Sequence, residues 1–252
     1  MEIELLGSLS LQHNGRRFGV GSRKVRSVLA LLALSPGSAL SFDQITDELW
    51  ADKSMSNVRN ALQANIARLR KLLETITGQG GEELVRTVSS GYLLDVPAES
   101  VDTHRFLSLA RHGAGLAESR PHDAIGVLRE ALLLWRGPAL LDVAEGTRCR
   151  AAATHLDERR LTVQEDLIGA RLAVGEERGV VHELKQLVVE NPGRERLSEY
   201  LMLALYRSGR QSEAVSVFHR TRNWLRAELG LEPGRALRQL YQAILVQDRV
   251  LD

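Results

Sequence analysis

The amino-acid sequence predicts a mainly α-helical protein with a small β component, built as two domains. Three observations predict this. The first twenty residues alternate apolar and polar side chains in short runs. From Ser22 to Leu73 apolar residues recur at helical spacing, and two short strand-like runs follow. Beyond Pro97 the apolar pattern is helical to the end of the chain.

Each element follows from local chemistry. Ile3 and Leu5, then Leu9 and Leu11, precede the turn signal His13-Asn14-Gly15, with Phe18 and Val20 after it. This predicts short strands joined by tight turns. Ser22 is placed to cap a helix through "RKVRSVLALLAL", which ends at Ser35-Pro36-Gly37. Ser41 caps a second helix, "SFDQITDELW", with Ile45, Leu49 and Trp50 pointing inward. The third is "SNVRNALQANIARLRKLL", residues 56–73. Gly78, Gly80 and Gly81 then break the chain. "LVRTV" and "YLLDV", separated by Ser89-Ser90-Gly91, predict a β-hairpin. Strands, three helices and a hairpin make a winged helix-turn-helix, whose third helix enters a major groove. The strands in front resemble the OmpR-type variant, which carries an N-terminal sheet.

Pro97-Ala98-Glu99-Ser100 predicts a boundary, giving a winged-helix domain at 1–97 and an all-α domain at 98–252. The second domain carries a repeat signal. Gly175, Val180, Leu184, Leu187 and Pro192 fall at tetratricopeptide positions. Gly209, Ala214 and Phe218 repeat the first three, and Val180 to Ala214 is one 34-residue period. Ala124, Leu128 and Ala131 match more faintly. Stacked helix pairs of this kind share a core that none buries alone.

Composition sets limits on function. Hydrophobic residues make up 44% and charged residues 26%, an ordinary globular balance. The single cysteine, Cys149, excludes an intrachain disulfide and suits a reducing cytosol. No basic segment followed by a long apolar run marks a signal peptide, and no stretch approaches the roughly 18 apolar residues of a membrane span. A soluble, cytoplasmic protein is expected. The seven histidines are dispersed and form no metal-ligand pattern with one cysteine. "GVGSRK" lacks the spacing and ending of a phosphate loop. Cys149 reads as a buried small apolar residue. No enzyme signature is present, and neither cofactor nor metal is expected.

The net charge of +1 hides an uneven distribution. Arg16, Arg17, Arg23, Lys24 and Arg26 fall in a window without an acid. Lys53, Arg59, Arg68, Arg70 and Lys71 fall in a second. Two such clusters make an electrostatic footprint for nucleic acid. On the third helix Val58, Leu62, Ile66, Leu69 and Leu73 lie within about 80° of one another and form the inner face. Arg59, Asn60, Gln63, Arg70 and Lys71 occupy the outer arc, where a solvated helix would interleave glutamates. Arginine suits guanine, and asparagine or glutamine suits adenine. Ser56 and Asn57, at the helix N-terminus, are placed to hold a phosphate. Arg23 and Lys24 are placed for another, and Arg86, Thr87, Ser90 and Tyr92 lie on the wing.

These motifs carry a resemblance. "RKVRSVLALLALSPGSALSFDQITDELW", "NALQANIARLRKLL" and "RTVSSGYLLDV" resemble the DNA-binding domain of the Streptomyces antibiotic regulatory protein (SARP) family. "LLLWRGPALLDV", "VVENPGRERLSEYLMLALYRSGRQSEAV" and "RAELGLEPGRALRQLYQAILVQD" are similar to that family's bacterial transcriptional activation domain. The loop "ADKSMS" departs from the family's Gly-Asp and proline pair. The resemblance implies an activator of a secondary-metabolite (antibiotic) gene cluster. It implies two head-to-tail copies on direct heptameric repeats near a −35 element, recruiting RNA polymerase through the σ factor. It also implies the small form of the family, without an attached ATPase or sensor domain. The competing expectation is a protein-interaction module whose winged helix is a docking domain rather than a DNA reader.

Overall fold

A computed structural model describes residues 1–50, 57–143, 146–248 and 251. Its residues fall into two compact units. The first comprises Met1–Arg111 and Glu130–Thr162, the second His112–Arg129 and Val163–Asp252.

In the first unit β1 (Glu2–Glu4), β2 (Ser10–His13) and β3 (Arg16–Gly19) form an antiparallel sheet in that order. Ile3 pairs with Leu11 and Leu11 with Phe18, so these three side chains share one face. The β2–β3 turn is Asn14-Gly15, with φ of 48° and 75°. Positive φ at both central residues is the turn whose twist matches a hairpin, and Asn-Gly tolerates it. Helix α1 (Arg23–Ala33) buries Val25, Val28 and every residue from Leu29 to Ala33. The two-residue strand β4 (Leu40–Ser41) leads directly into α2 (Phe42–Trp50). Ser41 and Gln44 form a reciprocal capping box: the Gln44 N–H donates to the Ser41 hydroxyl at 3.1 Å, and the Ser41 N–H to the Gln44 amide oxygen at 2.9 Å. Ile45 and Leu49 are buried, whereas Trp50 is half-exposed.

Helix α3 (Val58–Thr77) ends at Gly78, whose φ of 71° is the left-handed cap geometry. A short helix α4 (Gly81–Leu84) leads into β5 (Val85–Val88), which hairpins to β6 (Gly91–Leu94). The second sheet has the order β4-β6-β5, with Leu40 opposite Tyr92 and Ser41 opposite Gly91. The loop "ADKSMS", residues 51–56, lies outside the described residues.

Helices α5 (Asp102–Leu116), α6 (Pro121–Leu133) and α7 (Thr147–Ala173) follow. The packing does not divide at Pro97. Asp102 accepts the N–H groups of Leu5 at 2.7 Å and Leu6 at 3.0 Å. The Arg136 N–H donates to the Leu6 carbonyl and the Leu140 N–H to the Leu5 carbonyl, each at 2.8 Å. Asp142 accepts the Leu9 N–H at 2.8 Å. These bonds satisfy the irregular backbone between β1 and β2, which is buried from Leu5 to Gly7.

The second unit contains α8 (Glu177–Glu190), α9 (Glu195–Arg207), α10 (Gln211–Trp224) and α11 (Arg235–Val246). The repeat read from the sequence is visible in its turns. Gly175 and Gly209 have φ of 81° and 76°. Gly175 donates to the Leu172 carbonyl and Glu176 to that of Arg171; Gly209 donates to Tyr206 and Arg210 to Leu205. Two turns 34 residues apart thus close with one hydrogen-bond pattern. Val180, Leu184, Leu187, Ala214 and Phe218 are buried, as are Ala124, Leu128 and Ala131.

Gly91 has no room for a side chain, because a Cβ there would overlap the Leu40 carbonyl oxygen. Gly91→Ala is expected to destabilise the first unit by roughly 1–3 kcal/mol, as overpacking does. A lowered urea midpoint by circular dichroism checks this, and an unchanged midpoint would contradict the close approach.

Candidate nucleic-acid interface

The two faces of α3 separate as the periodicity requires. Leu62, Ile66, Leu69 and Leu73 are buried, and Val58 is half-buried. Asn65 is buried as well, its amide donating to the Ala61 carbonyl at 2.7 Å. It sits roughly 20° from Val58, inside the apolar arc, so its angle rather than its polarity decides its place.

On the outer side Asn57, Arg59, Asn60, Gln63, Arg68 and Lys71 are exposed. Among the described residues no carboxylate lies within ion-pair distance of Arg59 or Lys71. Asn57 is the N-cap but makes no side-chain capping bond, and the first turn of α3 carries no acid. The N–H groups of that turn are therefore directed at whatever anion approaches. Ser56 lies outside the described residues. The Arg59 guanidinium lies 4.8 Å from the centre of the Phe42 ring.

Three residues expected to contact DNA are occupied within the fold instead. Arg70 is only 19% exposed in its side chain. Its Nε and Nη2 donate to the Val85 carbonyl at 2.9 and 2.7 Å, Nη2 donates to the Thr87 hydroxyl at 2.8 Å, and Nη1 reaches Glu82 at 3.2 Å. The geometry makes it a brace between α3 and the wing. The reason is reach: its angle of about 120° from Val58 lies beside the apolar face, over β5 rather than over open solvent. Tyr92 is 9% exposed, packed as a sheet residue between Leu40 and Thr87. The Lys24 ammonium donates to the Leu49 carbonyl and lies 5.3 Å from the Trp50 ring centre. There it satisfies the C-terminal end of α2, where a cation is favoured.

The other wing residues stay outward. Arg86 pairs with Asp95 at 3.0 Å, both more than half exposed, a pairing that solvent weakens. Thr87 and Ser90 are exposed, as is Arg23 at the start of α1.

Sequence reasoning missed Phe42, Glu48, Asp102 and Arg136, because each acts on a residue distant in the chain. Glu48 of α2 receives the N–H groups of Arg148 at 2.9 Å and Cys149 at 2.8 Å, at the start of α7. Burial pushes the Cys149 thiol up to about 12, and the Glu48 charge adds to the shift. The thiol is fully buried and stays protonated. Among the described residues no cluster of three metal-ligating side chains occurs, and no helix is long and apolar enough to cross a membrane.

Comparison with known proteins agrees with this architecture. Residues 20–94 match the family described as "Transcriptional regulatory protein, C terminal". Residues 101–245 match the "Bacterial transcriptional activator domain" family, which alone is more than half of the chain. The chain is 44% identical to the transcriptional regulator RedD of Streptomyces coelicolor, over all of this chain and 72% of that protein. It is 37% identical to the regulatory protein DnrI of Streptomyces peucetius, over all of this chain and 94% of that one. The solved structure of Mycobacterium tuberculosis EmbR in complex with a low-affinity phosphopeptide superposes with a TM-score of 0.93 at 32% identity. The match covers 98% of this chain and 65% of the EmbR chain. A winged helix followed by a helical activation domain defines the class: a bacterial transcriptional regulator. The chain belongs to the Streptomyces antibiotic regulatory protein (SARP) family of transcriptional activators.

Arg70→Ala should cost roughly 1–3 kcal/mol, the penalty for orphaning partly buried polar groups. Arg59→Ala should cost no more than about 0.5–1 kcal/mol, the worth of its exposed contact with the Phe42 ring. Equal denaturation midpoints for the two variants would remove the brace. Cys149 should resist alkylation by iodoacetamide at pH 8 in the native protein and react once urea unfolds it, because the thiolate is the reactive form. The raised value favours folding below the unfolded thiol's pKa, and that contribution is lost as pH climbs towards 12.

Proposed function

We propose that this chain binds double-stranded promoter DNA by laying α3 in the major groove with the β5–β6 wing on the adjacent backbone. The observation that carries this reading is the exposed outer face of α3, polar and basic and without an acid before Glu74. Arg59, Asn60 and Gln63 have the donor and acceptor groups that read base edges. Asn57, Lys71, Arg23, Arg86, Thr87 and Ser90 supply phosphate contacts around them, and Ser56 would join Asn57. Arg70, Lys24 and Tyr92 hold the framework rather than the DNA.

Two copies then occupy direct repeats near a −35 element, head to tail. A direct repeat relates its sites by translation, so the copies meet through unlike faces. Spacing near one helical turn sets both on one side of the duplex. The helical second half recruits RNA polymerase through the σ factor, and the target is a secondary-metabolite gene cluster in the cytoplasm. Family membership and the similarity to RedD and DnrI support this reading.

Footprinting on the promoter tests it, followed by mobility shifts across a salt series. Binding should fall with log salt at a slope of about −0.9 for each phosphate neutralised, hence about −3 per copy for Arg23, Lys71 and Arg86. Arg59→Ala or Gln63→Ala should erase roughly 1–3 kcal/mol of discrimination at one base pair. Arg23→Ala should weaken every sequence alike. Equal binding to promoter and random DNA would overturn the base-reading assignment, and no shift with either at low salt would favour a docking domain.

A further inference from the structure

We propose that Phe42 is a positioning residue for sequence reading: its ring holds the Arg59 guanidinium, and its backbone ties that arm to the wing. The inference rests on the assignment of Arg59 to a base edge given above. Arg59 is the second residue of α3 and exposed, and its guanidinium carbon stands 4.8 Å from the Phe42 ring centre. That is within the roughly 6 Å at which a ring face attracts a cation. Among the described residues Arg59 has no carboxylate partner, and the Phe42 ring is the contact there that gives it a direction.

Phe42 is itself held from two sides. It is the first residue of α2, immediately after Ser41 and within the Ser41–Gln44 capping box. Its N–H donates to the Ser90 carbonyl, in the wing turn, at 3.0 Å. The neighbouring Ser41 pairs with Gly91, which seats against the Leu40 carbonyl at a distance no side chain permits. A shift of the wing turn therefore moves Phe42, and Phe42 moves the resting place of Arg59. A long arginine left unrestrained loses rotamer freedom on docking, whereas a stacked one has already lost it. The stack leaves the guanidinium edge, where its N–H donors lie, available to a guanine.

The experiment compares the full chain and its variants on the footprinted promoter duplex and on duplexes with single base-pair changes. Arg59→Ala first identifies the pair whose identity Arg59 senses. Phe42→Leu should then narrow the discrimination at that pair by about two- to fivefold, the factor an exposed cation–ring contact carries. Phe42→Tyr should restore it. In an Arg59→Ala background Phe42→Leu should have no further effect at that pair. Incorporating 3,4,5-trifluorophenylalanine at position 42 keeps the shape and drains the ring face, so it should reproduce the narrowing without altering the fold. If the trifluoro chain keeps full discrimination, or if Phe42→Leu weakens all duplexes equally whether or not Arg59 is present, the positioning role is overturned. If Arg59→Ala leaves every base preference intact, the base-contact assignment itself fails.

Discussion

The pairing of Leu40 and Ser41 with Tyr92 and Gly91 is the constraint on which the winged helix depends. A two-residue strand is too short to be stable alone, and it persists here because its residues do two jobs. Ser41 completes a sheet ladder and also caps α2. The residue after it, Phe42, donates to the wing turn. The start of α2 and the tip of the wing are thereby one rigid junction. Gly91 is required because two backbones approach where a Cβ would stand.

Arg70 completes the same unit from the other side. A guanidinium has five donors in a planar fork, and here they converge on a strand carbonyl, a threonine hydroxyl and a glutamate. The Val85 carbonyl gains a charge-assisted partner, which is stronger than a neutral one. Gly81 lies directly against the α3 backbone at Arg70, so the turn before the wing is seated on the same helical position. The angle between α3 and β5 is held by one side chain and one missing side chain.

Carboxylates do a recurring task elsewhere. Asp102 accepts two N–H groups from the β1–β2 connection, and Asp142 accepts a third. Glu48 accepts two at the start of α7. In the second unit Glu195 accepts the Gly234 N–H at 2.6 Å, before α11. Helix starts and irregular turns leave backbone donors unpaired, and a side chain from another element supplies the acceptor. Arg136 then balances the charge, reaching Asp102 at 3.3 Å and Glu4 at 3.7 Å.

Features that depend on neighbours within a few residues were legible before any packing was known. The Asn14-Gly15 turn, the Ser41 cap, the apolar stripe of α3 and the 34-residue echo between Gly175 and Gly209 all follow from local period and turn chemistry. The polar, acid-free face of α3 was legible in the same way, since helical angle alone sorts Arg59 and Gln63 from Leu62 and Ile66. Which polar residues remain outward depends on the packing of one element against another. Arg70 and Lys71 are adjacent and alike in type, yet one is a brace and the other is exposed, because β5 lies over only one of their directions. The same holds for Asp102 and Glu48, whose partners are about a hundred residues away in the chain. Periodicity places a side chain on its own helix; it carries no information about what another element brings against it.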